Sequence, residues 1–179
     1  MIDDKLKSAA EKAVNMLIEK NISISTAESC TGGLIAKCIT DISGASAVFS
    51  SGVVTYSNEM KTKLLGVEGD LFPKYGAVSE CVALQMAHGS RRLANSDIAI
   101  SVTGIAGPNS DGTGKPVGLC FIGFSDKSGD YVIKLQSDSA LCRDEIRKIT
   151  AYHAFLTVLY YLDHDNKFDS ESFSECYLK

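Results

Sequence analysis

The sequence predicts an α/β protein: a three-layer α/β/α sandwich around a mixed, mainly parallel sheet, with a C-terminal β-hairpin and helix. Three observations carry this. Segments with a 3.6-residue apolar period alternate with short runs rich in β-branched residues through the first half of the chain. DIAISVT, residues 97–103, is a near-continuous apolar run of the kind covered on both faces of a sheet. Two more strand-like runs, 117–125 and 131–136, flank the turn segment SDKSGD, and a long helical pattern follows them.

Taken in order, residues 3–20 place Leu6, Ala10, Ala13, Leu17 and Ile18 on one helical face. Residues 22–25 alternate as a strand, and a helix is expected over 31–39. VFSSGVVTYS, 48–57, reads as a strand bulged at Gly52. Asn58 then caps a short helix that Gly66 ends. Ser79 introduces a helix over 80–94 with Val82, Met86 and Leu93 buried. A loop rich in glycine and proline spans 104–116. The last helix covers 141–162 with a stripe of Ile146, Ile149, His153, Leu156 and Tyr160, where His153 reads as a satisfied core residue. One domain over 1–162 and a polar tail over 163–179 are expected.

Composition narrows the function. The 179 residues are 45% hydrophobic and 22% charged, with net charge -4 and pI near 5.4, so a broad phosphate-contacting surface for nucleic acid is disfavoured. No apolar run approaches membrane-spanning length, and the charged N-terminus lacks a signal peptide's apolar centre. A cytoplasmic protein is expected. The six cysteines show neither CxxC nor metal-ligand spacing and read as reduced thiols, so no metal site is expected.

Four places could carry chemistry. In TAESCTGG, 26–33, a strand delivers Ser29 and Cys30 to the amino end of a helix, where free N–H groups can hold an oxyanion or a phosphate and Gly32-Gly33 allow close approach. Simple capping by Ser29 or Thr31 is the other reading of that stretch. Lys61, after Tyr56, could serve as a base if burial lowers its pKa, because no Ser-His-Asp arrangement is visible. SVTGIAGP, 101–108, holds Thr103, Gly104 and Gly107 at a strand's carboxyl end, where α/β proteins bind ligands. Arg143 and Arg147 lie one helical turn apart and can grip a phosphate or carboxylate.

Together, TAESCTGG, GVVTYSNEMK, GAVSE, and SVTGIAGP followed by KPVG resemble the CinA C-terminal domain family over residues 5–160. Its enzymatically defined members are nicotinamide-nucleotide amidases. The resemblance implies a stand-alone amidase that needs no cofactor and hydrolyses nicotinamide mononucleotide to nicotinate mononucleotide and ammonia. It implies Ser29 as nucleophile, Lys61 as base and Tyr56 as an auxiliary proton-transfer or positioning group. Thr103 and the TGIAGP loop would line the site, and an arginine of RDEIR, with Arg143 favoured, would bind substrate. Glu28 could face the pyridinium cation, the Gly32-Gly33 turn could take the phosphate, and the N–H of Cys30 or of residues 104–107 could stabilise the oxyanion. Cys30 is a rival nucleophile that spacing leaves open. The family also implies homodimers, and its link to competence and DNA damage supplies the alternative of a non-catalytic nucleotide- or partner-binding domain.

Overall fold

The computed structural model describes residues 1–169 and residue 173. In chain order the elements are α1 (Ile2–Lys20), β1 (Ile24–Glu28), α2 (Leu34–Thr40), β2 (Phe49–Val54), α3 (Asn58–Leu65), α4 (Leu71–Tyr75), α5 (Glu80–Ala94), β3 (Ile98–Gly104), β4 (Leu119–Ser125), β5 (Asp130–Gln136) and α6 (Arg143–Asp163), with one 3₁₀ turn at Ala45–Ala47. The sheet runs β2-β1-β3-β4-β5. β1 pairs in parallel with β2 and β3, whereas β4 and β5 are antiparallel, closed by a turn in which Asp126 accepts the N–H groups of Ser128 and Gly129.

The two sheet faces differ chemically. Ile24, Ile98, Ile100, Val102, Ile122 and Phe124 share one core with α1, α2 and α6. The opposite face presents Ser25, Ala27, Ser101 and Gly123 to α5: Ser101 donates to the Ala83 carbonyl at 2.6 Å, and a Cβ on Gly123 would lie 2.4 Å from that oxygen. Small residues here let α5 approach more closely than a layer of branched side chains would allow.

Several boundaries differ from the sequence reading. α2 begins at Leu34 rather than 31, because Gly32 and Gly33 hold φ of 60° and 92°, outside the right-handed helical region. β1 runs on through Glu28 and so takes in the first three residues of TAESCTGG. The α3 cap is Ser57, whose hydroxyl accepts from Met60 N at 3.2 Å, not Asn58. The β1–β2 register slips between Ile24 and Ser25, skipping Ser50, so the irregularity is not at Gly52. Gly52 instead fits against β1, where a Cβ would sit 2.7 Å from the Thr26 hydroxyl. Leu93, one residue from the end of α5, is exposed. On α6 the buried face is Ile146, Thr150, Ala151, Ala154, Phe155 and Val158, while Ile149, His153 and Leu156 are half-buried at its border. The His153 Nδ1 has no hydrogen-bond partner among the described residues, and burial lowers its pKa, so it is a neutral ring rather than a satisfied one. After α6, Phe168 returns to stack on Phe124 with ring centroids 4.9 Å apart.

Candidate active site

The chain leaves β1 through α2 towards β2 on one side of the sheet and leaves β3 towards β4 on the other. Where neighbouring strands send their connections in opposite directions, a crevice opens beyond their carboxyl ends. The turn after β1 carries Ser29, and TGIAGP runs from the last two residues of β3 into the loop after it. β2 ends beside them, with Thr55 N donating to the Glu28 carbonyl at 2.9 Å.

Side-chain alternation along β1 sends Glu28 towards α2 and Ser29 towards α3. Lys61, in the first turn of α3, is buried at 1% exposure and places Nζ 3.1 Å from Ser29 Oγ. The same amine donates to the Thr55 carbonyl at 2.7 Å and to the Tyr56 carbonyl at 3.4 Å. No carboxylate pairs with it among the described residues. Burial lowers its pKa from 10.5 to about 8. A neutral fraction of about a tenth at pH 7 follows from that value. With two N–H bonds directed at carbonyl oxygens, the lone pair of the neutral amine is left for the Ser29 hydroxyl. The arrangement can therefore deprotonate a serine.

The Glu28 carboxylate does not face the crevice. It accepts from Gly33 N at 3.0 Å, Ile35 N at 3.1 Å and Ala36 N at 2.8 Å, capping α2 from the end of the preceding strand. The donors that a phosphate would use are thus already occupied by a buried carboxylate. This overturns both the cation-facing role read for Glu28 and the phosphate-cradle role read for Gly32 and Gly33. Those glycines instead shape the turn through their left-handed φ values.

Cys30 points into the main core, at 6% exposure. The neighbouring Cys120 thiol and burial hold its own thiol well above the usual range, the opposite of what a nucleophile requires. Thr31 is fully buried, and its hydroxyl has no partner among the described residues. Thr103 is also buried, its hydroxyl donating to Ala77 O at 2.8 Å, so it braces the GAVSE segment instead of opening onto the crevice. Gly104 abuts β4, where a Cβ would lie 2.3 Å from Cys120 Sγ.

The first two turns of α6 reach across the crevice. Arg143 donates to Gly107 O at 2.8 Å and to the Tyr56 hydroxyl at 2.9 Å. Arg147 donates to Cys30 O at 3.2 Å and to Thr31 O at 2.6 Å. Neither guanidinium meets a carboxylate among the described residues. Tyr56 is 62% exposed, and its hydroxyl meets Arg143 while its carbonyl faces Lys61. Two contributors went unread in the sequence. The Thr55 carbonyl is a backbone group and leaves no side-chain signal. Lys115 ties the glycine-rich loop to the Tyr75 and Val78 carbonyls. It stands in the quoted KPVG block, which was its only signal.

Among the described residues no group of three or more His, Cys, Asp or Glu side chains converges as a metal site would require, and no helix is long and apolar enough to cross a membrane.

The pattern that defines the CinA C-terminal domain family matches residues 6–162. The nicotinamide-nucleotide amidohydrolase PncC of Escherichia coli K12 is 40% identical over 158 residues, covering 88% of this chain and 95% of its own. A relative from Caldanaerobacter subterraneus subsp. tengcongensis, whose name links it to competence and damage induction, is 47% identical over 162 residues, or 90% of this chain. The chain spans only 38% of that relative's length. The crystal structure of the competence/damage inducible protein CihA from Agrobacterium tumefaciens superposes with a TM-score of 0.83 at 38% identity, covering 89% of this chain and 96% of the other.

Proposed function

The chain belongs to the CinA C-terminal domain family, and from that premise we propose that it is an amidohydrolase converting nicotinamide mononucleotide to nicotinate mononucleotide and ammonia through Ser29 and Lys61. The observation that carries the reading is the buried Lys61 amine 3.1 Å from Ser29 Oγ, with its pKa lowered to about 8. A binding module has no use for such a pair, and burying the amine costs stability. The similarity to PncC supplies the substrate class.

The chemistry follows from what an amide resists. Neutral Lys61 takes the Ser29 proton as Oγ attacks the carboxamide carbon. The tetrahedral oxyanion needs backbone donors, and the Cys30 N–H, next to the nucleophile, has no acceptor among the described residues. Lys61 then gives the proton to the departing nitrogen, the C–N bond breaks, and ammonia leaves an ester on Ser29. Water attacks that ester with Lys61 again taking the proton, and collapse frees the carboxylate and restores Ser29. Arg143, exposed at the crevice mouth and without a carboxylate partner among the described residues, is the phosphate ligand in this reading, with Tyr56 positioned beside it. Cytoplasmic pyridine nucleotide recycling, a homodimeric assembly and independence from cofactors belong to the same proposal.

The test is ammonia release from nicotinamide mononucleotide by the purified protein, with the riboside and NAD as controls. Release from the mononucleotide is expected. Release from none of the three would refute the reading in favour of a non-catalytic nucleotide- or partner-binding domain.

A further inference from the structure

We propose that Arg147 is a positioning residue that orients and polarises the oxyanion-binding Cys30 N–H through two peptide groups in series. The inference deepens the amidase reading and rests on it. In the turn 29–33, Ser29 N donates to Val102 O at 3.0 Å, Gly32 N to Ser29 O at 3.1 Å and Gly33 N to Glu28. Cys30 and Thr31 are left as the turn's N–H groups without an acceptor among the described residues, and Thr31 is fully buried. Cys30 N–H is therefore the donor that stands beside Ser29 with something left to bind.

Its orientation is set from a distance. The cis peptide among the described residues is Gly107–Pro108, so the peptides of this turn are trans, with C=O and N–H on opposite sides. Arg147 Nη2 donates to Thr31 O at 2.6 Å. The other end of that peptide, Gly32 N–H, donates to Ser29 O. The other end of the Ser29–Cys30 peptide is the free Cys30 N–H. The guanidinium thus begins a hydrogen-bonded chain that ends at the reacting centre. Each link polarises the next, so a cation at one end makes the terminal N–H a stronger donor. The second contact, Nε to Cys30 O at 3.2 Å, fixes the intervening peptide. Such a clamp is needed because Gly32 and Gly33, both at positive φ, give this turn more rotational freedom than any other residue type would.

This separates the two arginines. Arg143 reaches the crevice mouth and would hold substrate, whereas Arg147 acts through the backbone. The experiment compares the wild type with Arg147→Met and Arg147→Lys. Arg147→Met is expected to lower kcat by about 10²-fold, the scale of losing one oxyanion donor, with KM within about threefold of the wild-type value. The kcat loss should be equal for the mononucleotide and its riboside where both turn over. Arg147→Lys, which can still donate to Thr31 O but cannot span both carbonyls, should recover about tenfold of that loss. A rise in KM at unchanged kcat, specific to the phosphorylated substrate, would make Arg147 a phosphate ligand and overturn the inference. The second readout needs no turnover: the Cys30 backbone amide proton in ¹H–¹⁵N spectra should move upfield in Arg147→Met with resonances of β4 and β5 in place. An unmoved Cys30 resonance would also overturn it. Because the spectrum is read without substrate, a wild type that releases no ammonia sinks only the amidase reading, and the Cys30 shift still decides the role of Arg147.

Discussion

Replacing Lys61 by methionine removes a buried amine whose ionisation the fold opposes. The unfolded chain binds a proton at this amine up to its ordinary 10.5, whereas the folded chain releases it near 8. Between those values the unfolded state holds more protons, so the contribution of this site to stability rises with pH and is complete above the unfolded pKa. Below 8 both states are protonated and the cost of burying the ammonium is constant, at about 3 kcal/mol. The assay is urea unfolding of wild type and Lys61→Met at several pH values, with the two free-energy curves subtracted. Subtraction matters because Cys30 and Tyr161, both raised by their surroundings, titrate at alkaline pH in either protein. The wild type should gain about 2 kcal/mol on the variant from about pH 7.5 to about 9.5. In kinetics the same ionisation should make kcat/KM climb with pH through about 8. A flat difference curve would refute the reasoning, because an amine with equal affinity for protons in both states cannot be the poised base.

Other outcomes are equally specific. Ser29→Ala should reduce deamidation by about 10⁴-fold or more, while Cys30→Ala keeps most of it, as steady-state ammonia assays would show; the reverse pattern would transfer the nucleophile to the thiol. Arg143→Ala should raise KM for the mononucleotide by about 10- to 100-fold, the scale of a charged hydrogen bond, with little change for the riboside. Glu28→Gln, which leaves one acceptor oxygen for three amide donors, should destabilise the chain by about 1–3 kcal/mol in urea unfolding.

The elements legible in the sequence were those set by local chemistry. Gly66 in the left-handed region ends α3, Ser79 stands at the start of α5, and the Asp126 turn closes the hairpin. Apolar continuity in DIAISVT matched a strand buried on both faces. Elements that failed depend on partners far away or on competing backbone geometry. Nothing in TAESCTGG announces that Glu28 will reach forward to cap α2, since the usual cap stands immediately before its helix. Paired glycines read as an accessible cradle but served as a hinge that delays the helix. Leu93 fits the helical period yet lies past the edge of the core that α5 covers. Lys61 and Ser29, 32 positions apart, meet only because β1 and β2 are parallel neighbours, a pairing that spacing cannot give. Resemblance to a family supplied that pair, and the burial that lowers the amine's pKa is visible only in the folded chain.

The family pattern ends at residue 162, but the aromatic packing does not. Phe168 sits at the centre of a ring cluster with Phe124, Tyr131, Tyr160 and Phe173. A protein truncated at the pattern's edge would bare the greasy flank of β4 and of the final helix at once. Such a shortened form should be prone to self-adhesion and precipitation even with every residue of its reaction centre intact, so a loss of solubility on trimming would say nothing about catalysis.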